Sequence, residues 1–354
     1  MGHRETQSRR RIATNAAIAV LAVVLLAAGA SSVWFATSPL TARNAARVAS
    51  PMPIYSSSPL TSPNESPVEA SPPSPPAITG AYIVLSAPSP RVVWALVNNN
   101  LLFRSADQGG SWQRVKAPPG LDTNRYSGIS FVDGRTGYVL VPANDCTKSA
   151  SRLFRTQDAG ATWSLVRLPP VQCVSYMTFV GVSHGFVSGV GRDYRAVVSR
   201  TSDGGRTWFQ STIPDPPGWV SGSHANLRIG PIKAFGSIVL ATGAFNATIY
   251  HFRSSDSGAT WIYLPTAHDS KPGFPNFLTP THWLELNSEQ ETTDGGQSWH
   301  SFDTDYADVV GLGAPAVFAT PGVAYCANYG RVHLTVDGGA HWTVIKTSWP
   351  KKTG

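Results

Sequence analysis

The chain has 354 residues, 14% of them charged, a formal net charge of +7 and three cysteines. So few cysteines exclude a disulfide-built scaffold, and neither a Cys-x-x-Cys pair nor a His-x-x-x-His cluster is present to hold a metal. The basic residues form no stripe interleaved with aromatics, which argues against nucleic acid as a partner.

Residues 1–11 are polar and basic and end in Arg9-Arg10-Arg11. Residues 12–36, from Ile12 to Ala36, carry no charge. As a helix this run would be roughly 37 Å long, enough to cross a bilayer. Basic residues ahead of the span put the N-terminus in the cytoplasm and the rest of the chain outside, with Trp34 and Phe35 at the outer interface. A cleaved signal peptide competes, because Ala28-Gly29-Ala30 offers small residues for cleavage. Ser8-Arg9-Arg10-Arg11-Ile12 also partly fits a twin-Arg export signal. The apolar run continues past Ala30, which favours a retained signal-anchor. No cysteine ends the run, which argues against a lipoprotein.

Residues 37–80 hold ten Pro and nine Ser, as in Ser71-Pro72-Pro73-Ser74-Pro75-Pro76. That composition cannot bury a core and favours extended polyproline II, so the segment reads as a disordered linker. A Pro-rich recognition peptide is the competing reading. Residues 81–354 keep a charge of +4.

From there a repeat dominates. Ser105-Ala106-Asp107-Gln108-Gly109-Gly110-Ser111-Trp112 recurs around Asp158 with Trp163, Asp203 with Trp208, and Asp256 with Trp261. It returns around Asp294 with Trp299 and around Asp337 with Trp342, where His341 replaces the usual Ser or Thr. Asp can accept hydrogen bonds from nearby backbone N–H groups and close a turn. Gly two positions on can take φ > 0. Trp supplies an apolar body to the next strand. Each copy therefore predicts a β-hairpin.

The pattern S/T-x-D-x-G-x-T/S-W resembles the Asp-box (BNR) repeat. Successive Asp residues are 51, 45, 53, 38 and 43 positions apart, close to the ~40–45 of a four-stranded propeller blade. The resemblance covers residues 81–346 and implies an all-β, six-bladed β-propeller, followed by a C-terminal tail at 347–354. The remaining strands are legible as Tyr82–Leu85 and Val92–Val97 in blade one, then Ile129–Phe131 and Gly137–Val141 in blade two. Phe179 with Gly185-Phe186-Val187 and Ile229 with Ile238–Leu240 extend the pattern to blades three and four. Each blade supplies its own four strands, so closure is expected to rest on side-chain packing. A short strand at Ala77–Ala81, an open ring and a seven-bladed ring are the alternatives.

The implied fold puts the Asp turns on one face, where their carboxylates are consumed structurally. Loops between second and third strands, and blade connectors, make the other. That face offers Arg125, Tyr126, Lys148, Arg192, Tyr194, Arg195, His268, Tyr329, Arg331 and the connector at Asp303–Asp308. Trp219 stands in a Pro/Gly-rich connector, either exposed as a binding hot spot or folded onto the blade edge. Cys146 and Cys173 fall on the same face and would pair in an oxidising compartment. Cys326 reads as a buried strand residue.

Sialidases are also six-bladed Asp-box propellers, whose chemistry needs three Arg, a Tyr–Glu nucleophile pair and an Asp. Arg125, Arg195, Arg331, Tyr329, Glu289 and Asp122 are the loose counterparts. The Phe-Arg-Ile-Pro motif of that family is absent, since blade one begins Tyr82-Ile83-Val84-Leu85-Ser86. The repeats are also similar to those of photosystem II stability/assembly factor-like propellers, through the Phe…Gly-Tyr/Phe pattern at Phe131/Gly137-Tyr138 and Phe179/Gly185-Phe186. That resemblance implies a lumenal or extracytoplasmic scaffold without catalytic residues. The expectation is a membrane-tethered module that binds another extracytoplasmic or membrane protein. It has no cofactor, metal or catalytic residue. A carbohydrate- or cell-wall-binding propeller is the alternative.

Overall fold

The computed structural model describes residues 81–349 apart from 122–126, 144, 146–149, 192–194, 218, 220–226, 246–247, 267–273, 312 and 347–348. The expected basic tail, apolar span and Pro/Ser-rich linker lie outside the described residues, as do positions 77–80 of the additional strand. Among the described residues no helix is long and apolar enough to cross a membrane.

The strands fall into six four-stranded antiparallel sheets, each a meander of consecutive strands. Blade one is β1 (Ile83–Ser86), β2 (Val93–Val97), β3 (Leu101–Ser105) and β4 (Gln113–Val115). Blade two is β5 (Gly128–Phe131), β6 (Gly137–Val141), β7 (Arg152–Thr156) and β8 (Ser164–Val166). Blade three is β9 (Tyr176–Phe179), β10 (Gly185–Val190), β11 (Ala196–Thr201) and β12 (Phe209–Thr212). Blade four is β13 (Arg228–Phe235), β14 (Ile238–Phe245), β15 (Thr248–Ser254) and β16 (Ile262–Leu264). Blade five is β17 (Asn276–Phe277), β18 (Trp283–Glu285), β19 (Gln290–Thr292) and β20 (His300–Ser301). Blade six is β21 (Ala316–Thr320), β22 (Val323–Asn328), β23 (Arg331–Thr335) and β24 (Thr343–Lys346), preceded by the short helix α1 (Tyr306–Val309).

Second strands are buried along their whole length in β2, β6 and β10, whereas the outer strands β4, β8 and β12 are mostly exposed. A second strand is covered on both faces by neighbouring blades, so it reads as a continuous apolar run instead of an alternating one. The core is thus divided among six seams. Trp94 meets Ile129 between blades one and two, and Leu153 meets Met177 between two and three. Phe252 meets Val198 between three and four, and Trp283 meets Leu240 between four and five. Leu284 meets Ala324 between five and six, and Tyr325 meets Leu85 between six and one. Six blades with six seams make a closed ring of six, not an open or seven-bladed one.

The Phe…Gly pattern has a packing cause. Phe131 pairs with Gly137, and Phe179 with Gly185, across the first hairpin of each blade. A Cβ on Gly137 would fall 2.0 Å from the Phe131 ring, and one on Gly185 would fall 2.4 Å from that of Phe179. Each Phe lies flat over its own glycine and stacks on the preceding blade. Phe131 is 3.7 Å from Trp94 and Phe179 is 3.4 Å from Tyr138, both nearly parallel. Inner-strand serines tie the same seams. The Phe131 amide donates to Ser86 Oγ at 2.8 Å, and the Phe179 amide to Ser130 Oγ at 2.8 Å.

The repeated turn is built identically six times. The hydroxyl two positions before each Asp donates to Asp Oδ1 at 2.7–2.8 Å. The same hydroxyl accepts from the amide of the Gly two positions after the Asp, at 2.8–3.0 Å. Asp Oδ1 also accepts the amide four residues on, at 2.8–3.0 Å. That glycine has φ between +84° and +103°, and a Cβ there would come within 2.3–3.2 Å of a side chain of the preceding blade. Gly is required twice over, by conformation and by contact. Trp163 and Trp208 then donate to Lys116 O at 2.9 Å and Arg167 O at 2.7 Å, each in the preceding blade.

One placement differs from expectation. The connector at Asp303–Asp308 was expected on the face away from the turns, yet its start is fastened to the sixth turn. The Asp305 amide donates to Ala340 O at 3.0 Å, and Asp305 Oδ1 accepts the Trp342 amide at 2.9 Å. Strand twist swings the outer strand of one blade across the turn of the next.

Candidate functional site

The turn carboxylates are occupied. In Asp107 and Asp158 the hydroxyls of Ser111 and Thr162, then the backbone amides, hold the pKa down to about 2. Asp203, Asp256 and Asp294 are lowered further, chiefly by the hydroxyls of Thr207, Thr260 and Ser298. Burial works against ionisation at Asp337, but hydrogen bonds from His341 and Thr335 outweigh it and bring its pKa to about 2. A carboxylate held ionised and saturated with donors in this way is a poor proton carrier.

Of the residues expected on the opposite face, Arg125, Tyr126, Lys148, Arg192, Tyr194 and His268 lie outside the described residues, as do Asp122 and Cys146. Arg195 closes the β10–β11 hairpin, accepting the Gly191 amide at 2.8 Å on its carbonyl, and its guanidinium meets Asp215 at 3.1 Å. It fastens that hairpin to the connector toward blade four. Trp219 is half-buried on blade four, 4.7 Å from Phe245 and 5.4 Å from Tyr250, and its indole N–H donates to Tyr250 Oη at 3.3 Å. It is folded onto the blade, which removes the exposed Trp that a sugar platform would have used.

Tyr329 and Arg331 are brought together, one at the tip of the β22–β23 hairpin and the other at the start of β23. Tyr329 is 67% exposed and held at φ +48°, followed by Gly330 at φ +74°. Two consecutive left-handed residues are what a tight hairpin of this twist demands, and an aromatic residue is an unfavourable choice for the first of them. The hairpin is braced by its surroundings. Asn328 Nδ2 donates to Val310 O at 3.0 Å, and the Trp349 indole donates to Gly330 O at 3.0 Å. A Cβ on Gly311 would lie 3.3 Å from the Tyr329 ring. The same connector reaches blade five, where the Gly313 amide donates to Asn287 Oδ1 at 2.8 Å. Two hairpins and the connector between them thus form one continuous surface. Glu289 is exposed on the blade-five hairpin at φ +55°.

Sequence reasoning missed Glu285. It ends β18, is only 2% exposed, and burial pushes its carboxyl up to about 7, with a hydrogen bond from Ser288 opposing. Ser288 Oγ lies 3.0 Å from Glu285 Oε2. A single acid in Trp283-Leu284-Glu285-Leu286 gives no sign of its burial; only the packing of blade five reveals it. Of the loose sialidase counterparts, Arg125 and Asp122 lie outside the described residues. Arg331, Tyr329 and Glu289 sit on blades five and six, and Arg195 sits on blade three, across the ring. Among the described residues no group of three or more His, Cys, Asp or Glu could hold a metal.

Cys173 is disulfide-bonded and Cys326 is a free, buried thiol in β22. Cys326 contacts Tyr306 Oη at 3.3 Å, and burial raises its pKa to about 12. The cavities lined by described residues include two on separate parts of the ring. One of about 440 Å³ runs along the outer strand β8, between Leu165 and Val171. The other, of about 200 Å³, lies among the inner strands of blades four to six.

No protein-family model and no curated protein matches the chain. Among solved structures it is similar to YCF48 bound to D1 peptide, at 15% identity and TM-score 0.49, over 76% of this chain and 83% of that one. It is similar to YCF48 from Cyanidioschyzon merolae at 15% identity and TM-score 0.46, over 77% and 86%. An ancestral GH74 enzyme matches at 15% identity and TM-score 0.41, over 73% of this chain but 36% of that one. At these identities and TM-scores the likenesses carry no inference about this chain's ligand or activity.

Proposed function

We propose that this chain is a membrane-tethered, extracytoplasmic propeller that acts as a non-catalytic protein-binding scaffold, and that its six turns are Asp-box repeats. The observation that carries the binding role is Tyr329, an exposed aromatic held at φ +48° beside Arg331 on a hairpin braced from two sides. Tyr and Arg dominate the energetics of protein interfaces, and a pre-ordered hairpin loses little entropy on docking. Backbone strain kept at an exposed tip is the kind of outlier from which a functional role is argued.

The location is supported by the uncharged run 12–36 behind Arg9-Arg10-Arg11, and by the disulfide at Cys173, which suits an oxidising compartment. Protease added to intact cells should then degrade the propeller while sparing cytoplasmic markers.

The binding role is tested by crosslinking the tagged full chain on native membranes and identifying captured proteins by mass spectrometry. A stoichiometric partner present with the wild type and lost with the double variant Y329A/R331A supports the reading. Equal capture by that variant, with its thermal midpoint unchanged, overturns it.

A further inference from the structure

Blade four contributes the longest described inner strand, eight residues in β13, and blade five beside it contributes two in β17. The mismatch leaves space at the axis. A bulge between Ile229 and Ile232 turns both isoleucines into the seam with blade three. By alternation Lys233 and Phe235 then face the other way, and Phe235 packs in the seam with blade five. Lys233 and Phe235 line the cavity of about 200 Å³ with Phe277 and Leu278 of blade five and Phe318 and Thr320 of blade six. A cavity walled by the inner strands of three consecutive blades lies at the axis of the ring. It sits where first strands turn into second strands, on the face of the Asp turns and away from the Tyr329 hairpin.

Lys233 is the one ionisable side chain among the lining residues. It is half-buried, with neither hydrogen bond nor ion pair among the described residues, and burial lowers its pKa. Arg228 leaves the same side of β13, also half-buried and without an ion pair among the described residues, and burial lowers its pKa too. A half-buried cation without a counter-ion is costly, and an anion entering the cavity relieves that cost. Aromatic walls select what carries the anion. The volume suits a single ring or a short chain, since an apolar cavity of about 150 Å³ can hold benzene.

We propose that this axial cavity binds a small monocarboxylate on an apolar stem, with the carboxylate on the Lys233 ammonium and the stem among Phe235, Phe277 and Phe318. The pairing combines a charge-assisted hydrogen bond with apolar burial.

The probe is 4-fluorobenzoate, titrated into the full chain in detergent micelles and followed by fluorine NMR, with empty micelles as reference. The wild type should bind it, and Lys233→Met, which keeps the stem and removes the charge, should weaken binding by about tenfold or more. The uncharged 4-fluorobenzamide should bind about tenfold more weakly than the benzoate. Ala319→Leu, which narrows the cavity, should weaken both. No binding at about 10 mM benzoate, equal binding of the amide, or unchanged affinity in a folded Lys233→Met overturns the proposal. Should Lys233→Met fail to fold, acetylation of wild-type Lys233 read by peptide mass spectrometry decides. Protection by 4-fluorobenzoate supports the site, and no protection overturns it.

Discussion

The seam between blades two and three and the seam between blades six and one do the same job with different parts. Between two and three, the repeat supplies an aromatic stack and two hydrogen bonds: Phe179 on Tyr138, the Phe179 amide on Ser130, and Trp208 on Arg167 O. At the closing seam the repeat supplies less. Trp112 donates to Gly109 O within its own turn, not to a preceding blade. Some contacts are shared: Tyr325 Oη reaches Pro90 O at 2.6 Å and Ile345 fills the place over Gly109, as Tyr138 Oη reaches Val182 O at 3.1 Å and Val166 fills the place over Gly205 at the other seam. Trp349, from beyond the last repeat, packs 5.1 Å from both Phe103 and Trp112. The Trp342 indole also donates within its own turn, to Gly339 O at 3.0 Å, so the cross-blade bond made by Trp163 and Trp208 is not a feature of every seam between consecutive copies. Where the last copy meets the first, closure draws on residues outside the motif.

That contrast makes ordered predictions. Phe179→Ala should cost most, about 3–5 kcal/mol by urea denaturation, because a fully packed stack loses one ring. A loss under about 1 kcal/mol would mean the stack does not organise the seam. Gly185→Ala should cost about 1–3 kcal/mol by forcing a methyl into the Phe179 ring, and should not add to the first change because both act on one stack. Trp349→Ala should cost about 1–2 kcal/mol, with faster amide exchange in blades one and six but not at the Phe179 seam. Uniform exchange changes around the ring would break the distinction between the seams.

Smaller effects sharpen it. Ala159 occupies a turn position at φ +59° where blades three, five and six have Gly, so Ala159→Gly should gain about 0.5 kcal/mol in the same assay. The smallest effect is a pH dependence unique to the sixth turn. The Asp337 carboxylate, hydrogen-bonded at 2.7 Å, raises the His341 pKa, with Asp305 and Asp303 adding to it. A raised histidine pKa contributes stability below the ordinary value near 6.5 and loses it as pH rises through the folded value. The thermal midpoint of the wild type relative to His341→Thr should therefore fall as pH rises above about 6.5. A difference that stays flat from about pH 5 to 8 would show that the imidazole and the hydroxyl serve the turn alike.

Much of the fold was legible because the repeat encodes local geometry. Asp, Gly and a hydroxyl at fixed offsets define a turn whose hydrogen bonds are all short-range, and β1, β2, β5 and β6 fall where apolar runs placed them. The site was less legible. Arg195 read as an exposed loop residue and Trp219 as either exposed or folded onto the blade edge, and it is Asp215 and Tyr250, from elsewhere in the chain, that engage them. Glu285 looks like an ordinary acid in a strand, and blade five buries it.

The sequence by itself determined the six repeats, the position and chemistry of every turn, and the Phe…Gly pairs of blades two and three. These follow from contacts a few residues apart and from one repeated pattern. Only the tertiary structure decided that the ring closes with six blades and how, which loop residues meet, and that a cavity opens around Lys233 beside a long β13 and a short β17. Those outcomes depend on contacts between blades distant in the chain, where a side chain's neighbours are set by packing and not by its own sequence context.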